Sequence, residues 1–287
     1  MKNPAISVVM SVYNSHEYLA EAIESIISQT FTNFEFIIIN DGSSDSSLDI
    51  IKSYMRKDDR LVLISRENKG LPVSLNEGIA LAKGKYIARM DADDIALPER
   101  LQKQYNFMVS NPKVDVCGSF AQFIGASSRV AKPYTTHKDI SIHALFACPM
   151  VHPTVMAKKS FFSILYNVDY FKAQDYELWT RGITQGYVFA NINQVLILYR
   201  VRPGANSSSE QVFFSEKARS KYMKNLNLLD EKERKNFIRV VSTREMSFAC
   251  LVSVVHLLFS LNIIFSGSFA LTSNLIKCFI KARFWRR

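Results

Sequence analysis

The chain has 287 residues, 48% of them hydrophobic, with a formal net charge of +10. This is enough for one large α/β domain with an appendage, and it excludes collagen-like, disordered and disulfide-scaffold classes. The positive balance points to an anionic partner, whether a nucleic acid, an anionic lipid surface or a phosphorylated ligand, without choosing among them. In chain order, AISVVMSV (5–12) is a continuous β-branched run of the kind found in a strand covered on both faces. A helix follows, with Leu19, Ile23, Ile26 and Ile27 at helical spacing and Asn14 with Glu17 as its capping box. The pattern then repeats. FEFIIIN (34–40) reads as a strand, DGSSD as a turn, and Leu48, Ile51 and Tyr54 mark a second helix. LVLIS (61–65) is the third strand and RENKG a loop, after which LPVSLNEGIALAKG is a helix closed by Gly84. KYIARM is the fourth strand. Strands alternating with helices imply βαβ units and a mostly parallel sheet with helices on both faces. Ligands of such sheets lie outside the carboxyl ends of the strands, where SVYN, NDGSSD, RENKG and MDADD all fall.

The region from about 112 to 205 is less regular. Short strand candidates, VDVCGSFAQFI and YVFANINQVLILY, surround a helix, DYELWTRGITQ, and the stretch reads as the acceptor half of the same domain. Residues 1–205 thus form one domain, 206–245 a polar helical connector, and 246–287 an apolar and basic tail. Cys117, Cys148, Cys250 and Cys278 are far apart and never form CxxC, against a zinc site or disulfide framework and for a reducing cytoplasmic setting. The apolar run near Pro4 is too short for a signal peptide.

MDADD delivers Asp91, Asp93 and Asp94 directly after a strand. Carboxylates packed this closely raise one another's pKa unless a cation or several donors offset them. An Asp-x-Asp at a strand end is a hard oxygen site suited to Mg2+ or Mn2+, which takes one or two carboxylates plus substrate phosphates. The structural alternative is that Asp93 and Asp94 cap a helix starting near Leu97-Pro98.

These segments, SVYN through INDGSSD, ENKGLPVSLNEGIALAKGKYIARMDADD and QDYELWTR, together resemble the family 2 glycosyltransferases, over roughly residues 4–205. That resemblance implies the GT-A fold, a nucleotide-diphosphate sugar as donor, and Mn2+ or Mg2+ as cofactor. It implies that the loop with Val12, Tyr13 and Asn14 wraps the nucleotide, that Asp41 accepts a hydrogen bond from the base, and that Asn68 lies near the nucleotide. A uracil N–H suits Asp41, so UDP is the expected nucleotide, although Asp-Gly is also a turn signal. Ser43 and Asp45 read as caps of the following helix, Asn76 matches a recurrent Asn, and Lys69 reads as a solvated loop lysine. Asp91 would lie by the ribose and metal, Asp93 would ligate the metal, and Asp94 would be structural.

The resemblance also makes Asp175 the base that removes a proton from the acceptor hydroxyl in an inverting displacement. Its structural alternative is a helix N-terminal carboxylate stabilised by the dipole. Trp179 either walls the sugar or packs in the core, with the core as default. His152 is a contact on the acceptor side or a structural histidine. Two departures stand out: Gln174 replaces a usual Glu, and Arg202 stands where relatives carry His. Arg202 cannot ligate a metal but can pair with phosphate oxygens.

Met246 to Leu271 runs 26 residues without an Asp, Glu, Lys or Arg and is followed by Lys277, Lys281, Arg283, Arg286 and Arg287. A span would leave the basic end on the wrong side, so helices lying in the interface are expected, on the cytoplasmic face of the inner membrane with anionic lipid as partner. A helix packed on the soluble domain is the alternative. The expected reaction extends a cell-surface polysaccharide or lipid-linked glycan; the competing reading is a catalytically silent nucleotide-sugar-binding scaffold. Nucleic acid is not an expected partner, since no basic motif interleaved with aromatics falls in the α/β part.

Overall fold

The computed structural model describes residues 3–202, 208–227 and 229–243. The tail expected over 246–287 lies outside the described residues.

The first half follows the expected alternation: β1 (Ile6–Val12), α1 (His16–Ile27), β2 (Phe34–Asp41), α2 (Ser47–Met55), β3 (Leu61–Arg66), α3 (Leu71–Leu81) and β4 (Tyr86–Met90). Two-residue β5 (Ile95–Ala96) precedes α4 (Arg100–Ser110), β6 (Val116–Gly125), β7 (Val130–Ala131), α5 (His137–His143), β8 (Met156–Lys158), α6 (Gln174–Thr184) and β9 (Phe189–Val201). The helices α7 (Ser209–Asn225) and α8 (Glu231–Thr243) close the described chain.

One sheet runs in the order β3-β2-β1-β4-β8-β6-β9-β5, with β7 on β6. The four strands from β3 to β4 are parallel, β8 is antiparallel to both β4 and β6, β6 and β9 are parallel, and β5 is antiparallel to β9. The sheet is therefore mixed rather than mostly parallel. The strand that reverses direction, β8, is three residues long, too short to show a period in sequence.

Side chains alternate across the central strands and feed two cores. Ile6, Val8, Met10 and Val12 of β1, with Phe34, Phe36 and Ile38 of β2, pack against Leu19, Ile23 and Ile26 of α1, Ile51 of α2 and Leu101 of α4. Val9, Ile37 and Ile39 point the other way, to Leu75 and Ile79 of α3 and Leu178 and Trp179 of α6. A third cluster joins Tyr176 of α6 to Phe214, Tyr222 and Met223 of α7 and Phe237 of α8. Within the stretch read as a connector, α7 thus packs on α6 and α8 on α7, with Phe237 against Phe146.

Two local expectations are corrected. Ser15, not Asn14, occupies the cap position of α1, and its own side chain makes no capping hydrogen bond. Asn14 instead takes a left-handed conformation, φ 46°, and its side chain serves a neighbouring loop. Gly84 does not close α3, which ends at Leu81 with Ala82 at its C-cap. A Cβ on Gly84 would lie 2.5 Å from the Ser7 amide nitrogen, so this glycine allows the backbone to cross against β1.

Candidate active site

A cavity of about 920 Å³ opens at the carboxyl ends of β1, β2 and β4 and is closed by the segment 148–153 and the start of α6. Tyr13, Asp41, Asn68, Asp91, Asp93, His152 and Asp175 all line it. Val12 and Asn14 do not. Val12 is fully buried in the sheet, while the Asn14 amide donates to Ser43 Oγ at 3.1 Å and its Oδ1 accepts from the Ser44 amide at 2.9 Å. They hold the loops that present Tyr13, which is exposed at the rim.

Asp41 is buried, pairs with the Arg66 guanidinium, and accepts from the backbone amides of Lys69 (2.8 Å) and Gly70 (3.0 Å). This fixes the 66–70 loop across the end of β2 and sets Asn68 in the wall. Gly42 makes the approach possible: its φ is +74°, and a Cβ there would meet the Asn68 nitrogen at 2.6 Å. The Lys69 ammonium faces Glu77 at 3.9 Å. Neither Ser43 nor Asp45 stands at the cap position of α2, which is Ser46. Asp45 nevertheless serves two helix starts, accepting from the Ser47 amide at 3.0 Å and the His16 amide at 3.1 Å. Burial raises its pKa, but these bonds and the His16 ring outweigh it and hold the carboxyl below the ordinary range.

The three acids after β4 have separate environments. Asp91 pairs with Arg89, a buried arginine on β4 itself. Asp93 Oδ2 accepts from Arg202 Nε at 3.1 Å and Nη2 at 3.0 Å. Asp94 is buried, and its Oδ1 accepts the Arg200 amide at 2.8 Å; burial, followed by the charges of Asp91 and Asp93, pushes its carboxyl up to about 8. The helix-cap alternative for Asp93 and Asp94 is overturned, because β5 intervenes and Glu99 stands at the cap position of α4. Instead the pairing of β5 with β9 brings Arg200 and Arg202 over the acids. Arg202, expected near phosphate, thus rests on Asp93, the expected metal ligand.

On the other wall, Ala173 takes a left-handed conformation, φ 56°, and turns the chain into α6 immediately before Gln174 and Asp175. A non-glycine in this region marks stored strain, and here it sits at the site. Asp175 Oδ1 accepts the Tyr176 amide at 2.8 Å, and Oδ2 lies 3.5 Å from Cys148 Sγ. Burial raises the Asp175 pKa, opposed by these donors and by the Arg89 charge. Burial and the Asp175 charge hold Cys148 as a thiol, so its S–H is a donor, shared between Asp175 and the Met150 carbonyl, also at 3.5 Å. His152 is buried and kept neutral by burial and Arg89, with Nε2 at 2.7 Å from the Tyr166 hydroxyl. Asn76 of α3 binds the Tyr166 backbone through both its amide and its carbonyl, each at 2.9 Å. Trp179 is fully buried, packed on Phe161 and His152; it belongs to the core and not to the cavity. Arg181 pairs with buried Glu177 and donates to the carbonyls of Ile164 and Leu165, fixing the turn that carries Tyr166.

The sequence analysis assigns no site role to Arg89, Cys148 or Tyr166. A lone arginine inside the apolar strand YIARM was the available signal for Arg89. Cys148 and Tyr166 had none, since their roles depend on contacts across 27 and 90 positions of chain.

Comparison with known proteins decides the family. Residues 7–180 match the family model described as glycosyl transferase family 2. The chain belongs to that family. A glycosyltransferase of Methanocaldococcus jannaschii, described as uncharacterized, is 39% identical over 209 residues, 70% of this chain and 72% of that protein. The O-antigen biosynthesis glycosyltransferase WbnJ of Escherichia coli is 32% identical over 217 residues, 73% of this chain and 84% of that protein. Among solved structures, S. aureus TarS in complex with UDP-GlcNAc superposes with a TM-score of 0.64 at 17% identity, covering 96% of this chain and 81% of that one. Mannosyltransferase PcManGT from Pyrobaculum calidifontis, in complex with GDP-Man and Mn2+, gives a TM-score of 0.61 at 13% identity, covering 99% and 88%. The fold of this family 2 glycosyltransferase is therefore GT-A-like, and the mixed sheet is part of it. The enzyme's DADD segment, its 66–70 loop and the head of α6 converge on one cavity.

Proposed function

We propose that this family 2 glycosyltransferase moves a sugar, with inversion, from a nucleotide-diphosphate sugar to a hydroxyl of a growing cell-surface polysaccharide or lipid-linked glycan. The observation that carries the reading is that Asp91, Asp93 and Asp175, up to 84 positions apart, line one cavity of about 920 Å³. That volume suits a nucleotide sugar. Asp41 retains lone pairs after accepting from Arg66, Lys69 and Gly70, so it serves a uracil N–H and favours a UDP-sugar. Solved relatives are seen with UDP-GlcNAc and with GDP-Man, and WbnJ is named for O-antigen biosynthesis.

Asp91 and Asp93 are a hard-oxygen pair matching the one or two protein carboxylates that Mn2+ or Mg2+ uses alongside phosphates and water. Among the described residues no cluster of three or more His, Cys, Asp or Glu side chains forms a cage. Asp91 and Asp93 are the residues that would hold such a metal, which would supply charge to offset a diphosphate. Such a metal, when bound, neutralises the leaving diphosphate. Arg202 then exchanges Asp93 for a phosphate oxygen, a step its planar fork suits. Asp175 takes the proton from the acceptor hydroxyl as that oxygen attacks the anomeric carbon, and its raised pKa makes it a stronger base than a solvated carboxylate. His152, held neutral, anchors Tyr166 in the wall rather than donating charge.

We place the enzyme at the cytoplasmic face of the inner membrane, by virtue of the apolar and basic sequence 246–287. Among the described residues no helix is long and apolar enough to cross a membrane.

UDP release from a panel of UDP-sugars, with and without Mn2+, tests the reading. Metal-dependent turnover of one sugar, abolished by Asp93→Ala, is expected. Binding of UDP without turnover of any sugar, with membrane extract as acceptor, would favour the scaffold.

A further inference from the structure

Beside Asp175 stands an amide to which the transfer chemistry gives no task. Gln174, the first residue of α6, lines the cavity and is only 9% exposed. Among the described residues its side chain makes no hydrogen bond. The other polar groups of this wall are committed. The Cys148 thiol is shared between Asp175 and the Met150 carbonyl, and the His152 ring and Tyr166 hydroxyl bond each other. The Tyr176 hydroxyl donates to the Ala144 carbonyl, and Arg181 serves Glu177 and two backbone carbonyls. An amide enclosed to this degree is costly unless water or a ligand satisfies it. The left-handed Ala173 directly before it sets where the chain enters the helix, and side chains of a first turn lean toward the helix N-terminus, here the cavity.

Helical geometry gives the amide a direction. Arg181 follows Gln174 by two turns, on the same face of α6, and donates to the carbonyls of Ile164 and Leu165. That face therefore looks to the turn carrying Tyr166, which Asn76 ties to α3. Tyr176 lies about 200° round the helix from Gln174 and packs with Phe214 and Tyr222 of α7. Gln174 is thus on the flank of Asp175 nearer the donor wall, where Asn68, Gly70 and Leu71 line the cavity. A sugar whose diphosphate lies at Asp91 and Asp93 and whose anomeric carbon faces Asp175 passes this flank. A planar amide carries a carbonyl acceptor and two N–H donors, so it can accept from one ring hydroxyl and donate to the next. A carboxylate here could only accept, and its charge would act on Asp175.

We infer that Gln174 is a specificity-determining residue that reads a vicinal pair of ring hydroxyls on the donor hexose, accepting from one and donating to the other. The 3,4 pair is the one that hexoses and 2-acetamido hexoses share. A sugar that lacks one hydroxyl of the pair leaves the amide unpaired in an enclosed site, and that penalty rejects it more strongly than a lost contact alone. The inference rests on the proposed transfer reaction and adds to it the residue that selects the sugar.

The test titrates the full chain, with Mn2+ present, against UDP, against UDP-glucose, UDP-galactose and their 2-acetamido forms, and against the 3-deoxy and 4-deoxy analogues of the preferred sugar. Wild type is compared with Gln174→Met, which keeps length and helix propensity but removes both polar atoms, and with Gln174→Glu. In wild type each deoxy analogue is expected to bind about tenfold or more weakly than the preferred sugar. Gln174→Met weakens the preferred sugar and shrinks both penalties to about twofold or less, with UDP affinity and Tm unchanged. Gln174→Glu keeps the penalty at the hydroxyl that donates and loses it at the hydroxyl that accepts. Penalties that persist in Gln174→Met would overturn the inference by placing the reading elsewhere. Equal weakening of UDP and every UDP-hexose, or a lowered Tm, would overturn it by making Gln174 a structural part of the helix head. Failure of the transfer reading looks different: wild type would turn over no sugar, while Gln174→Met still collapsed the deoxy penalties in binding.

Discussion

Asp91 and Asp93 follow a strand whose neighbours on both sides are locked by pairing, whereas Asp175 stands at the head of a packed helix, where its carboxylate is tied by single contacts from remote segments. The first wall is built of parallel strands with short loops, each loop directly after its strand. The second is built around three-residue β8, two 3-10 turns and the left-handed Ala173, tied by Cys148, Tyr166 and Asn76. In the proposed reaction the first wall would hold the donor and the second, assembled from remote segments, would present the base.

The sharpest way to break the first wall is Arg66→Ala, which leaves buried Asp41 without its guanidinium. A loss of about 3 kcal/mol is expected, read as a lower urea midpoint together with weaker UDP binding. Gly42→Ala acts on the same loop through a positive φ and a Cβ contact with Asn68; it costs about 2 kcal/mol and also weakens UDP. Asn76→Ala uncouples the walls, because Asn76 stands on α3 and holds the Tyr166 backbone. A stability loss of about 1–2 kcal/mol with reduced turnover and unchanged UDP affinity is expected.

The smallest effect concerns pH. As the proposed base Asp175 would work deprotonated, and burial raises its pKa, so the acid limb of kcat/KM is expected above the ordinary carboxylate range. Cys148→Ala removes a donor to the ionised form and moves that limb to higher pH; a limb that moves down or stays fixed would show that the thiol does not bond Asp175 in the working enzyme.

The same contrast explains what the sequence discloses. β-Branched runs, Asp-Gly and DADD lie within single segments, so the parallel half, its loops and the acidic site were legible. Asn14 misled, since its side chain was assigned locally to a cap while it bonds across to Ser44. The Asp93 and Asp94 cap reading failed because a two-residue strand, too short to have a period, occupies Ile95–Ala96. The base role proposed for Asp175 comes only from family resemblance; the contacts of its carboxylate, Cys148 among them, come from a fold whose direction reverses at β8. Where Gln174 replaces a usual Glu beside Asp175, the thiol of Cys148 reaches the carboxylate.

The central claim is that nucleotide binding and proton removal belong to different walls of one cavity. UDP affinity and sugar turnover measured side by side in Asp41→Ala and Asp175→Asn test it most directly. The account predicts that Asp41→Ala loses UDP binding, while Asp175→Asn binds UDP normally and loses about 10²–10⁴-fold in transfer. Normal transfer by Asp175→Asn, or loss of UDP binding in it, would contradict the account.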